Sequence, residues 1–144
     1  PNNQLEAISI LKDPLMLIVH QDHPLRSVSS VEISQLEEEA FIIYQKDFTL
    51  YDRIIEECSK NGFFPTIACE SSEKDLIVEM VAAKVGIALL PKKICEKLQN
   101  DKIVSIPFKQ ENIYLELGLT WRKNKYLSFA VREFIELAHQ FITK

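Results

Sequence analysis

Two stretches of this 144-residue chain put hydroxyls, charges and backbone donors where a ligand can reach them. Gln45-Lys46-Asp47-Phe48-Thr49 follows the apolar run Phe41-Ile42-Ile43-Tyr44, and Glu70-Ser71-Ser72 follows Thr66-Ile67-Ala68-Cys69. Each leads into an amphipathic segment, so each reads as the turn between a strand and a helix. The first N–H groups of a helix have no partner inside it, and its dipole attracts negative charge. Such turns suit an anion or a carboxylate. Lys46 adds a cation that can pair with an acidic ligand, although a solvated loop lysine looks the same in sequence. Phe48 offers an apolar wall or, just before Thr49, a hydrophobic staple at the helix entrance. Glu70 suits a ligand amine or hydroxyl, and equally a cap on a neighbouring helix.

Other chemistry is sparse. His20, Asp22 and His23 have zinc-ligand side chains, but two histidines within four residues and no third strong ligand fit a surface loop better. Asp52, Glu56, Glu57 and Asp75 fall on helix faces expected to meet water. No Ser/His/Asp order, P-loop or G-x-G-x-x-G occurs, so neither an enzyme nor a cofactor is implied. Cys58, Cys69 and Cys95 are odd in number and lack C-x-x-C spacing, which favours a reducing, cytoplasmic compartment and buried thiols, with a redox sensor as the alternative. The net charge is −4, and the basic groups stop at Lys92-Lys93 and Arg122-Lys123-x-Lys125, a poor grip for a phosphate backbone. No apolar run approaches a membrane span, and the polar start Pro1-Asn2-Asn3-Gln4 is not a signal peptide. The missing initiator Met suggests a fragment of a longer protein.

The elements that must position the two turns are legible from periodicity. Val81 to Pro91 records a helix ending and a buried strand, Ile87-Ala88-Leu89-Leu90, following directly. The helix stripe is Leu76, Ile77, Met80, Val81 and Val85, with Gly86 expected to carry the turn. Pro14 to Val19 reads as a buried strand after an Asp13-Pro14 turn. Ser34-x-x-Glu37 and Ser72-x-x-Asp75 read as capping signatures, and Thr49 as the cap of a helix whose inner face is Leu50, Ile54, Ile55 and Cys58 and which ends at Asn61-Gly62. A short helix over Ile94 to Leu98, strands Ile103 to Ile106 and Tyr114 to Trp121, and a helix from Ser128 with Val131, Phe134, Ile135, Ala138, Phe141 and Ile142 on one stripe complete the order βαβαβαβαββα. The class is α/β, with a mostly parallel sheet flanked by helices. Ligands of such sheets bind beyond the carboxyl ends of the strands, where both turns should project.

In that order and spacing, the chain resembles the effector-binding domain of LysR-type transcriptional regulators. The likeness runs through Asp13 to Val19, His23-Pro24-Leu25, Val31 to Leu36, Phe41 to Tyr44, Cys58-x-x-x-Gly62-Phe63-x-Pro65, Glu70, Val81 through Pro91, Leu117-x-Leu119-x-Trp121-Arg122 and Phe134-Ile135, nearly the whole chain. It implies a periplasmic-binding-protein-like fold of two subdomains. Residues 1–13 would be a crossover from the first subdomain, 14–102 the second, and 103–144 a return to an incomplete first. It further implies a small-molecule effector between subdomains, a homo-dimer or tetramer, and DNA contact only through a winged helix-turn-helix absent from this chain. By position, Gln45, Lys46, Asp47, Phe48, Thr49, Glu70 and Ser71 would touch the effector, with Ile106 and Pro107 on the returning crossover. An extracytoplasmic solute-binding protein of the same fold is the alternative. Where the family commonly has a glycine, this chain has Lys84; a positive φ there would strain a side chain, so Lys84 is expected to stay helical. The strand Leu115 to Trp121 and the last helix should lack packing partners.

Overall fold

A computed structural model describes residues 5–110, 112–122 and 128–142. Pro1 to Gln4, and Lys123 and Lys125 of the basic group, lie outside the described residues. The chain divides into two compact units, Pro14–Leu115 and Pro1–Asp13 with Glu116–Lys144.

The larger unit is built on apolar strands buried on both faces. Strand β1 spans Leu5–His20 and β2 Ala40–Tyr44, followed by α1, Thr49–Lys60. Then come β3, Thr66–Ser71, α2, Lys74–Ala82, β4, Ala88–Pro91, α3, Lys92–Lys97, and β5, Ile103–Pro107. β1 pairs antiparallel with β4 (Leu15 with Pro91, Ile18 with Ala88) and with β5 (Met16 with Pro107, His20 with Ile103). β2 and β3 pair in parallel, with a bulge between Phe41 and Ile42. A parallel bridge of Phe41 with Ile87 joins β2 to the start of β4, closed by Ile42 N–H to Ile87 O at 2.7 Å and Ile87 N–H to Ala40 O at 2.8 Å. Four strands therefore run one way and β1 alone runs against them. The α/β class holds, as a mixed sheet rather than an all-parallel one. Leu17, Ile18, Val19, Ile42, Leu89 and Leu90 form its centre, each essentially inaccessible to solvent.

β1 is longer than the apolar run that marks it. It begins at Leu5 and passes through Pro14, where a turn was expected. Proline lacks a donor but not an extended φ, so it sits in a strand wherever the ladder needs no N–H from it. Residues 103–115 group with Pro14–Leu115, because β5 lies beside β1 with Ile106 opposite Leu17.

Helix ends differ most from the local reading. Thr49 does not cap α1: Phe48 is the extended N-cap residue and makes no side-chain cap bond. The cap of α2 is Glu73 rather than Ser72. The reciprocal capping box before the short 3-10 turn Ile33–Leu36 is made by Glu32 and Gln35, not by Ser34 and Glu37. The buried face of α2 is Ile77, Val78, Val81 and Ala82, while Leu76 and Val85 are exposed. Glu57, expected in water, is only 3% exposed, held by the Arg53 guanidinium one turn earlier.

Lys84 overturns its expectation. Its φ is +67°, and Gly86 is not among the positive-φ glycines. Lys84 N–H donates to Val81 O and Val85 N–H to Met80 O, both at 3.0 Å, the paired bonds of a Schellman ending with Lys84 as the left-handed residue. Gly86 is needed for another reason: a Cβ there would lie 2.5 Å from Ala40 O, inside the β2–β4 junction.

In the smaller unit, β6, Tyr114–Arg122, pairs with β1, and α4 spans Phe129–Ile142. Phe129, Val131, Phe134 and Leu137 of α4 and Leu117 of β6 are exposed. The expectation of unpartnered apolar faces agrees with these residues, Phe129 being 77% exposed, but not with Leu115, which packs against the core, or Ala138, which is buried; the side chains of Phe141 and Ile142 lie outside the described residues.

Candidate functional site

At the carboxyl ends of β2 and β3, the ladder closes with Tyr44 beside Ser71 and Ile43 beside Glu70. Gln45 N–H donates to Ser71 O at 3.2 Å, and Phe48 N–H donates back to Gln45 O at 3.0 Å, folding 45–48 into a tight turn. This turn delivers the Phe48 ring onto Tyr44, centroids 5.2 Å apart and planes 18° from parallel. Phe48 therefore builds an aromatic shelf at the mouth of α1. Gln45, Lys46, Asp47, Phe48 and Thr49 are all exposed, whereas Leu50 is buried and roots the helix.

Ser71 is buried and its Oγ accepts Glu73 N–H at 3.0 Å, so it shapes the β3-to-α2 turn. Glu70 is exposed one residue earlier, and successive side chains of a strand point to opposite faces. Tyr44 was not singled out as a site residue by its sequence; its signal was an aromatic with a polar tip ending an apolar run. Burial, then the Asp75 and Glu73 carboxylates, push its phenol pKa up, so its hydroxyl remains protonated and a hydrogen-bond donor.

Ile106 and Pro107 lie elsewhere. They are on β5, four strand positions from β3, roughly 19 Å across the sheet. Ile106 is 1% exposed and packs in the core. Pro107 instead lines a cavity of about 400 Å³ with Pro14, Met16, Lys92, Phe108 and Gln110. The Gln110 side-chain Oε1 is buried there without a hydrogen-bond partner. The sheet thus unites Gln45 to Thr49 with Ser71, and separates both from Pro107.

Arg53 was also missed. Its Nε donates to Tyr114 O at 2.9 Å and its Nη2 to Asn112 O at 2.8 Å, Nη1 pairs with Glu56 and Glu57, and the guanidinium stacks on Tyr114. One side chain thus ties α1 to the segment entering β6.

The remaining candidates take structural places. Cys58 and Cys95 are buried, Cys69 is partly buried, and all are free thiols. Burial, then Glu57, pushes the Cys58 thiol up to about 12, so it stays protonated and unreactive near neutrality. His20, Asp22 and His23 form no cluster able to hold a metal ion among the described residues. Among those residues no helix is long and apolar enough to cross a membrane.

Residues 1–142 match the family described as LysR substrate binding domain. The uncharacterized HTH-type transcriptional regulator YwbI of Bacillus subtilis (strain 168) is 41% identical over 136 residues, covering 94% of this chain and 45% of YwbI. The transcriptional dual regulator GltC of the same organism is 26% identical over 135 residues, with the same coverage of 94% and 45%. The chain thus spans under half the length of these relatives. Among solved structures, the effector binding domain of QuiR in complex with shikimate superposes with TM-score 0.84 at 20% identity, covering 98% of this chain and 66% of that one. The BenM effector binding domain with its effector benzoate gives 0.82 at 22%, covering 95% and 63%. At such identities these two show the fold, which is periplasmic-binding-protein-like. Relatives that are HTH-type regulators favour the sensor reading over an extracytoplasmic solute-binding protein. The family is one of regulators rather than enzymes, and the chain belongs to it: this is a LysR substrate-binding domain of the transcriptional regulators.

Proposed function

We propose that this chain senses a small acidic metabolite for a cytoplasmic DNA-binding regulator, at the turn where β2 passes into α1. The observation that carries the reading is the Tyr44–Phe48 stack, which sets an apolar shelf beside the first turn of α1. A ligand's flat or aliphatic body would lie on Phe48, and its carboxylate would meet the α1 amides, Thr49 and Lys46. Gln45 and the Tyr44 hydroxyl add donors, and Ser71 holds the floor. Asp47 is in this turn, Glu70 pairs with Ile43 on the adjoining strand, and the Asp75 and Glu73 carboxylates act on Tyr44, so a monoanion is favoured over a polyanion. Ile106 would act only as core support, and Pro107 would belong to a separate wall.

The subdomain roles, 14–102 as the effector-binding part and 103–144 as the return, belong to the same reading. So do a homo-dimer or tetramer, and DNA contact through a winged helix-turn-helix beyond these residues, since a net charge of −4 offers no electrostatic grip. Switching needs different affinities in the two regulator states; equal binding would shift nothing. A thermal-shift screen of small monocarboxylates tests the site, with Lys46→Gln as the companion variant. Hits whose stabilisation weakens in Lys46→Gln support it; hits indifferent to Lys46→Gln and matched by uncharged analogues contradict the acidic class.

A further inference from the structure

Prolines mark one end of the sheet that β1 shares with β4 and β5: Pro14 within β1, Pro91 ending β4 and Pro107 ending β5. Leu15 pairs with Pro91 and Met16 with Pro107, and proline has no N–H to carry a ladder further. The chain turns aside at Pro107, whose carbonyl accepts Val31 N–H at 3.0 Å, and meets β1 again where Leu15 N–H donates to Ile113 O, also at 3.0 Å. Between departure and return lies the cavity of about 400 Å³. It sits at the carboxyl ends of β4 and β5, the edge of such a sheet where ligands bind. It shares no lining residue with the turn Gln45 to Thr49 and does not depend on how that turn is read.

Its walls are the apolar side chains of Pro14, Leu15, Met16, Pro107, Phe108 and Ile113. Among the described lining residues only Lys92 is charged, and it is exposed, which leaves its ammonium in water. Gln110 is different. Its Oε1 is buried and has no hydrogen-bond partner among the described residues. An acceptor taken from water and left unmet costs stability, and native proteins keep few of them. An ordered water wants about three polar partners, and the lining side chains offer it Gln110 and little else. The amide is thus a single polar point among apolar walls, the usual plan of a small-molecule site.

We propose that this cavity binds an uncharged, largely apolar molecule of about one ring that carries a hydroxyl, an alcohol or a phenol. The ring would lie against Met16, Phe108 and Ile113, and the hydroxyl would donate to Gln110 Oε1. A hydroxyl both donates and accepts, so it satisfies the amide in either orientation. A carboxylate brings only acceptors and would set its charge against that oxygen. A plain hydrocarbon would leave the oxygen unmet.

The chain has two methionines, Met16 in the cavity wall and Met80 on α2, outside it. With methionine methyls labelled, the 144-residue chain is titrated by NMR with phenol, benzyl alcohol and 2-phenylethanol, and with toluene and benzoate as controls. At least one hydroxyl probe should shift Met16 saturably, with a Kd of about 1 mM or tighter, and leave Met80 unmoved. Because toluene is the more hydrophobic molecule, the informative quantity is the ratio of affinities for benzyl alcohol and toluene. That ratio should fall at least about fivefold in Gln110→Leu, the share of one hydrogen bond. Gln110→Met, closer in shape, serves if Gln110→Leu fails to fold. Affinity should be unchanged in Lys46→Gln, so this site and the effector turn fail separately. No Met16 response to any hydroxyl probe, benzoate as tight as benzyl alcohol, an unchanged ratio without Gln110, or weakened binding in Lys46→Gln would each overturn the proposal.

Discussion

The two ends of β2 are held by different means. At Ala40, closeness does the work: Gly86 lets two backbones meet, and His23–Glu39 and Lys84–Asp22 pair side chain to side chain. At Tyr44 the turn is closed by main-chain bonds, its side chains stay exposed, and α1 is anchored a turn further on by Arg53. Side chains spent on holding a fold cannot also adapt to a ligand. The carboxyl end, supported from behind, keeps Gln45, Lys46, Asp47, Phe48 and Thr49 available. The amino end has already committed its charges to one another.

Breaking the remote anchor should have the largest effect. Arg53→Ala leaves Glu57 buried without its guanidinium and frees two carbonyls, an expected loss of about 3–4 kcal/mol in denaturant unfolding. Gly86→Ala comes next, since the new Cβ must push Ala40 away; about 2–3 kcal/mol should be lost by the same measurement. Lys84→Gly should gain about 1 kcal/mol, roughly 3 °C in Tm, because glycine accepts the left-handed backbone. Thr49→Ala should change stability by under about 0.5 kcal/mol, because no side-chain bond caps α1; a loss above 1 kcal/mol would restore Thr49 as the cap.

Alkaline pH offers a further contrast within α1. The Cys58 thiol ionises near 9 when unfolded and near 12 when folded, so the stability it contributes is complete below about pH 9 and is lost as pH rises towards 12. Cys58→Ala should flatten that part of the stability profile.

Much of this fold was legible because buried strands are continuous apolar runs. Phe41 to Tyr44 and Ile87 to Leu90 needed no partner to be recognised, and the family order followed from them. What escaped depends on contacts distant in sequence. Leu5 to Asp13 mixes polar with apolar residues, yet it belongs to β1, the strand with which β6 pairs. Glu57 looks like a solvated helix residue until Arg53 is seen clamped between it and Tyr114. Lys84 obeyed propensity in sequence and broke it in structure, since the close approach at Gly86 dictates where α2 must stop. At the candidate site, position in the family order picked out the turn, but the ring stack that shapes it joins a strand end to a helix cap, a relation no local pattern encodes.

The central claim is that the effector lies on the Phe48 shelf. Calorimetric titration of the identified effector into the wild-type chain and into Phe48→Ala tests it most directly. Losing the ring should weaken binding about tenfold, equivalent to roughly 1.4 kcal/mol of apolar contact, while the fold is retained. Equal affinities in the two proteins would contradict it.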